Sequence, residues 1–147
     1  MAVREVRLFL DANILFSCAY DLESRAAVLF QLARNRRAVL STSQYAIEEA
    51  RRNLELKRPA ALSHLGRIRA ALQLAHEAPQ DLVRDVVVKY KVPPGDGPIL
   101  AAAIRCDADY LVTGDRAHFG HLLDRRLPQQ RLRILSLRAA IELLLAA

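Results

Sequence analysis

Short runs of almost uninterrupted apolar residues recur along this chain, separated by segments of helical period. Val6 to Leu10 is apolar after Arg7, Ala38 to Leu40 ends in Ser41-Thr42-Ser43, and YLVTGD (from Tyr110) and LRILSL (132–137) are two more. A strand wetted on one face alternates apolar and polar residues, so strands this uniformly apolar are covered on both faces. Between them, 21–35 sets Ala26, Leu29, Phe30 and Ala33 on one helical face, while QYAIEEARRNL (44–54) and ILAAAIRCDA (from Ile99) also read as helices. Pro59 opens a further amphipathic helix, PAALSHLGRIRAALQLA, and DLVRDVVVKY (81–90) another; Leu74 to Pro79 is expected to hold a weaker strand, and a last helix follows 137. The alternation predicts an α/β fold on a parallel sheet with helices on both faces. With 147 residues and no internal repeat or linker, one domain over 1–147 is expected.

Composition narrows the class. Hydrophobic residues make up 52% and charged residues 26%, which suits a globular core and excludes a disordered chain. No apolar run approaches the ~20 residues of a membrane span, and the apolar start is broken by Asp11, so a cytoplasmic protein with no membrane partner is expected. Cys18 and Cys106 match no metal or redox spacing and read as buried thiols. A net charge of +6 favours polyanionic partners, nucleic acid first among them.

The acids fall in telling places. In an open parallel sheet the ligand crevice lies at the carboxyl ends of the strands. Asp11 comes where the first strand runs out, and Asp115 holds the equivalent place after YLVTG. Asp96, between Gly95 and Gly97 in the turn-rich VPPGDGP, sits where a helix begins. The fourth candidate is Glu49 or Glu48 on the helix after strand two, with Glu49 closer to the Ala46, Ile47, Ala50 and Leu54 face. Each has a structural alternative: Asx turn or N-cap for the aspartates, solvated helix charge for the glutamates. Together they point elsewhere, because clustered carboxylates raise one another's pKa unless a cation sits among them. An all-oxygen set without Cys or paired His favours Mg²⁺ or Mn²⁺ over Zn²⁺.

LFLDANIL, STSQYAIEEARRNL and VPPGDGPILAAAIRCDADYLVTGDRAHF, in that order and spacing from Leu8 to Phe119, resemble the PIN-domain family of metal-dependent ribonucleases, which includes the toxin component of many bacterial toxin–antitoxin pairs. The resemblance implies a three-layer α/β/α sandwich with the strands carrying Asp11 and Asp115 adjacent at its centre. It makes Asp11, Glu49, Asp96 and Asp115 the four family acids that hold metal and act in catalysis, with Asn13, Ser43 and Thr113 as accompanying polar residues. After TGD many members carry a further Asp where this chain has His118, which reads as a surface or core histidine. The implied reaction is hydrolysis of an RNA phosphodiester, leaving a 5′-phosphate and a 3′-hydroxyl. A cognate antitoxin and a homodimer are the further partners it implies, with the C-terminal IELLLAA as a candidate dimer face beside ordinary docking on the sheet.

Arg51, Arg52 and Arg116 are the arginines nearest the acids in sequence and the candidates for RNA backbone contact, although Arg51 and Arg52 also fit a solvated helix face. Two rival readings differ in class. A PIN-like domain acting as an RNA-binding or assembly module would bind without turnover. An aspartyl-phosphate enzyme needs a well-placed lysine, yet Lys57, Lys89 and Lys91 follow no strand, and no GxGxxG follows strand one.

Overall fold

The computed structural model describes residues 5–35 and 38–146. Five strands form one sheet: β1 (Arg7–Leu10), β2 (Val39–Ser43), β3 (Gln73–Ala75), β4 (Tyr110–Thr113) and β5 (Arg133–Ser136), in spatial order β3-β2-β1-β4-β5. Every neighbouring pair is parallel. The chain therefore winds from β1 to one edge, crosses back, and winds to the other. Right-handed crossovers then place helices on both faces, and the direction reverses between β1 and β4.

The helices are α1 (Ala12–Tyr20), α2 (Arg25–Asn35), α3 (Gln44–Lys57), α4 (Leu62–Ala70), α5 (Gln80–Tyr90), α6 (Gly97–Arg105), the short α7 (Arg116–Phe119) and α8 (Leu137–Ala146). One layer is built from α1 against α2, α3 and α4, with α8 docked on α2; the other from α5 against α6, which lies on β2 and β4. This is the expected three-layer sandwich. Leu8, Phe9, Leu10, Leu111 and Val112 are fully buried, as both-sided coverage demands. Ala140 and Leu144 of α8 are buried too, so IELLLAA docks at least that face inward; Ala147 lies outside the described residues.

Four local expectations need correction. No element is expected from the sequence at 12–20, yet α1 starts directly after Asp11, whose Oδ1 accepts the Ala12 N–H at 2.7 Å. The helix opened at Pro59 is shorter than its apolar period, ending at Ala70, and the third strand spans Gln73–Ala75 rather than Leu74 to Pro79. There the pairing Ser41↔Gln73, Thr42↔Leu74 and Ser43↔Ala75 overrides helix propensity, while Pro79, lacking an N–H, serves as the N-cap residue of α5. The helix expected over 21–35 begins at Arg25, because Asp21 terminates α1 and accepts the Glu23 N–H in an Asx turn.

Candidate metal centre

β1 and β4 are in register at Leu8↔Tyr110, Phe9↔Leu111 and Leu10↔Val112. One residue further on, the Asp11 N–H still bonds to the Val112 carbonyl at 3.0 Å, so Asp11 sits at the direction reversal facing the residues after Val112. Thr113 Oγ1 donates to Asp11 Oδ2 at 2.7 Å and accepts the Asp115 N–H at 3.0 Å. Asn13 Nδ2 donates weakly to Thr113 Oγ1 and Asp11 Oδ2, at 3.3 and 3.4 Å, and its Oδ1 accepts the Gly114 N–H at 3.0 Å. These bonds tie the ends of the two central strands together.

Asp96 arrives from the other layer. It occupies the N-cap position of α6 but makes no capping hydrogen bond, so its carboxylate is left for the cleft. Two contacts hold the turn that carries it. Tyr45 Oη donates to the Gly95 carbonyl at 3.0 Å, and Gly97 lets α6 approach α5, since a Cβ there would lie 2.5 Å from Val87 Cγ2 and 3.1 Å from Val83 Cγ1. Glu49 comes from α3, whose N-cap Ser43 accepts the Ala46 N–H at 3.2 Å. Ser43 thus orients the helix. Glu48 is paired with Arg51 at 2.8 Å and is absent from the lining of the cleft that Glu49 enters.

Asp11, Asn13, Glu49, Asp96 and Asp115 line a single cleft of about 280 Å³, together with Ala12, Phe16, Asn53, Lys57 and His118. His118 is the principal correction. It is exposed, as a surface histidine is expected to be, but its Nδ1 lies 2.8 Å from Asp96 Oδ2 and 2.7 Å from Asp115 Oδ2. Its own N–H bonds to Asp115 Oδ1 at 3.0 Å, so the capped first turn of α7 places the ring between the two carboxylates. Asn53 and Lys57 were also missed. The signal was present, since Glu49, Asn53 and Lys57 follow at intervals of four along one face of α3. The candidate cations fare differently: Arg51 is engaged by Glu48 and Glu55 along α3 and does not line the cleft, while Arg52 and Arg116 are exposed.

The electrostatics follow from crowding. Burial pushes the Asp11 carboxyl up to about 6, opposed by the Thr113 hydroxyl and the Ala12 N–H. Asp96 is pushed up to about 6 as well, first by burial and then by the charge on Asp11, with His118 acting in the opposite sense. Glu49 is raised by burial and by Asp96. Such a set is stabilised by a positive charge placed among the oxygens. The donors suit a divalent cation: Asp96, Asp115 and His118 each present a ligand atom within 4.8 Å of the others.

Comparisons agree with this layout. The chain resembles in fold the crystal structure of PAE2754 from Pyrobaculum aerophilum, with a TM-score of 0.70, 21% identity, and coverage of 98% of this chain and 100% of that one. VapBC2 from Rickettsia felis, solved bound to a DNA fragment from its promoter, gives a TM-score of 0.67 at 15% identity, covering 88% of this chain and 98% of that one. DNA-bound VapBC from Salmonella typhimurium gives 0.63 at 17%, with the same coverages. No curated protein matches the sequence. Residues 7–117, which hold all four cleft acids together with Asn13, Ser43 and Thr113, match the family pattern of the PIN domain, and the chain belongs to the PIN-domain family.

Proposed function

We propose that this protein is a divalent-metal-dependent endoribonuclease of the toxin type. The observation that carries the reading is the convergence of Asp11, Glu49, Asp96 and Asp115 on one cleft whose other ionisable lining groups are His118 and Lys57. Asp11, Asp96 and Asp115, completed by Glu49, hold one or two Mg²⁺ or Mn²⁺ ions. The bound cation supplies the acidity that makes water a nucleophile at neutral pH and offsets charge building on the phosphate. Thr113 and Asn13 hold Asp11 in place through the bonds described above. Lys57, whose Nζ rests 5.5 Å from the Phe16 ring centroid, contributes positive charge at the α3 side of the cleft and contacts the RNA backbone there. Exposed Arg52 and Arg116 extend that track. No covalent enzyme intermediate is needed: water attacks phosphorus, and the bond to the 3′-oxygen breaks.

The two VapBC structures support a protein antitoxin as a partner of this chain, and self-association is a further expectation. The test is cleavage of a structured RNA by metal-stripped protein to which Mn²⁺ or Mg²⁺ is returned, comparing wild type with Asp11→Asn and Asp115→Asn. Metal-dependent cleavage lost in both variants supports the reading. Undiminished cleavage in both sinks it, and tight RNA binding without metal-stimulated cleavage favours a non-catalytic module.

A further inference from the structure

His118 differs from the rest of the cleft in its chemistry: it offers nitrogen where the other candidate ligands offer oxygen. We propose that His118 is a direct metal ligand through Nδ1, completing a set with Asp96 and Asp115, and that it biases this centre toward Mn²⁺ over Mg²⁺. The inference rests on the nuclease reading and refines its metal.

Three observations support it. The first is spacing. Adjacent donors around an ion held at about 2.1 Å in octahedral geometry are roughly 3 Å apart, and Nδ1 stands 2.8 and 2.7 Å from the Asp96 and Asp115 oxygens. The second is preorganisation. Asp115 binds the His118 backbone through Oδ1 and faces its ring through Oδ2, so the imidazole is fixed by the residue with which it shares the ion. The third is access: the side chain is about half exposed and lines the cleft.

Ligand type then sets preference. Carboxylate suits both ions, but Mg²⁺ favours an all-oxygen set and retains its waters, whereas Mn²⁺, a first-row transition ion, accepts an imidazole nitrogen more readily. Two carboxylates and one imidazole therefore retain Mn²⁺ and weaken Mg²⁺. The bond replaces the contact that Nδ1 already makes with the two carboxylates.

The experiment uses the full chain, stripped of metal and titrated with Mn²⁺ or Mg²⁺ alone. Calorimetry gives both affinities for wild type and His118→Asp, and pulsed electron paramagnetic resonance of the Mn²⁺-loaded wild type detects nitrogen bound to the ion. The expected results are a nitrogen signal in wild type, a preference for Mn²⁺, and a fall in that preference of at least roughly tenfold in His118→Asp through gained Mg²⁺ affinity. Manganese bound without a nitrogen signal overturns the inference while leaving the nuclease reading intact, as does a preference unchanged in the variant. Failure of wild type to bind either ion overturns both. Should His118→Asp fail to fold, the wild-type nitrogen signal decides alone.

Discussion

The two ends of the central strands treat acids in opposite ways. At the amino end, Asp109 precedes β4, accepts the Arg7 N–H through Oδ2 at 2.9 Å, and pairs through Oδ1 with the Arg131 guanidinium. At the carboxyl end of the same two strands, among the described residues, Asp11, Asp96 and Asp115 meet no arginine, and the ion-pair partner of Asp96 and Asp115 is His118. The chain has no shortage of arginine: of 22 basic residues only Lys57, Lys89 and Lys91 are not Arg. The contrast is one of placement. An acid neutralised by arginine from within the chain reads as structure, while a group of acids whose ion-pair partner is an imidazole is open to a cation from solution.

The sharpest way to break this contrast is to substitute one acid at each end. Asp11→Asn is expected to lower RNA cleavage roughly 100-fold or more, measured as single-turnover rate with saturating metal, while Asp109→Asn leaves that rate within about twofold and lowers stability by roughly 1 kcal/mol. Equal loss of cleavage at both ends would erase the distinction.

The pair on α3 comes next. Glu49→Gln should weaken divalent-ion affinity by roughly tenfold, read by calorimetry, whereas Glu48→Gln, turned outward onto Arg51, should leave it unchanged.

Stability against pH sharpens the comparison further. Asp11 and Asp96 titrate near 6 when folded, against an ordinary aspartate value of 3.8. Between those values the folded state binds more protons than the unfolded, so the metal-free protein loses stability as pH rises from about 4 to 6 and stays at the lower level above that. For Asp11 the loss is on the order of 3 kcal/mol. Urea melts of metal-free wild type and Asp11→Asn at pH 5 and 8 should show the variant losing less. A saturating divalent ion should recover the loss at pH 8, since metal uptake needs the ionised carboxylates. Thr113→Val, which removes a hydroxyl donor from buried Asp11, should cost about 1–2 kcal/mol in the same melts.

The layers and the site acids were legible in the sequence for a shared reason: each rests on a local signal that tertiary structure reinforces. Apolar strands mark a sheet covered on both faces, and Asp11 and Asp115 stand where those strands end. Illegible were features fixed by partners distant in sequence. β3 exists through its pairing with β2, three residues long at the sheet edge, against a helical period that runs through it. The capping alternatives resolved individually: Asp11 caps α1 and also faces the cleft, Asp115 caps α7, and Asp96 caps nothing. His118 looked incidental because its meaning depends on Asp96, brought across from the other layer. Asn53 and Lys57 could have been found by continuing the helical period from Glu49.

Gly97 carries a consequence beyond packing. With no room for a methyl group against Val83 and Val87, any replacement there must displace the Val87 side chain or shift α6 from α5, and a shift of α6 carries Asp96, the preceding residue, with it. A screen for chains that have lost cleavage should therefore recover changes at Gly97 among folded proteins that retain every acid yet no longer hold them at the spacing an ion requires.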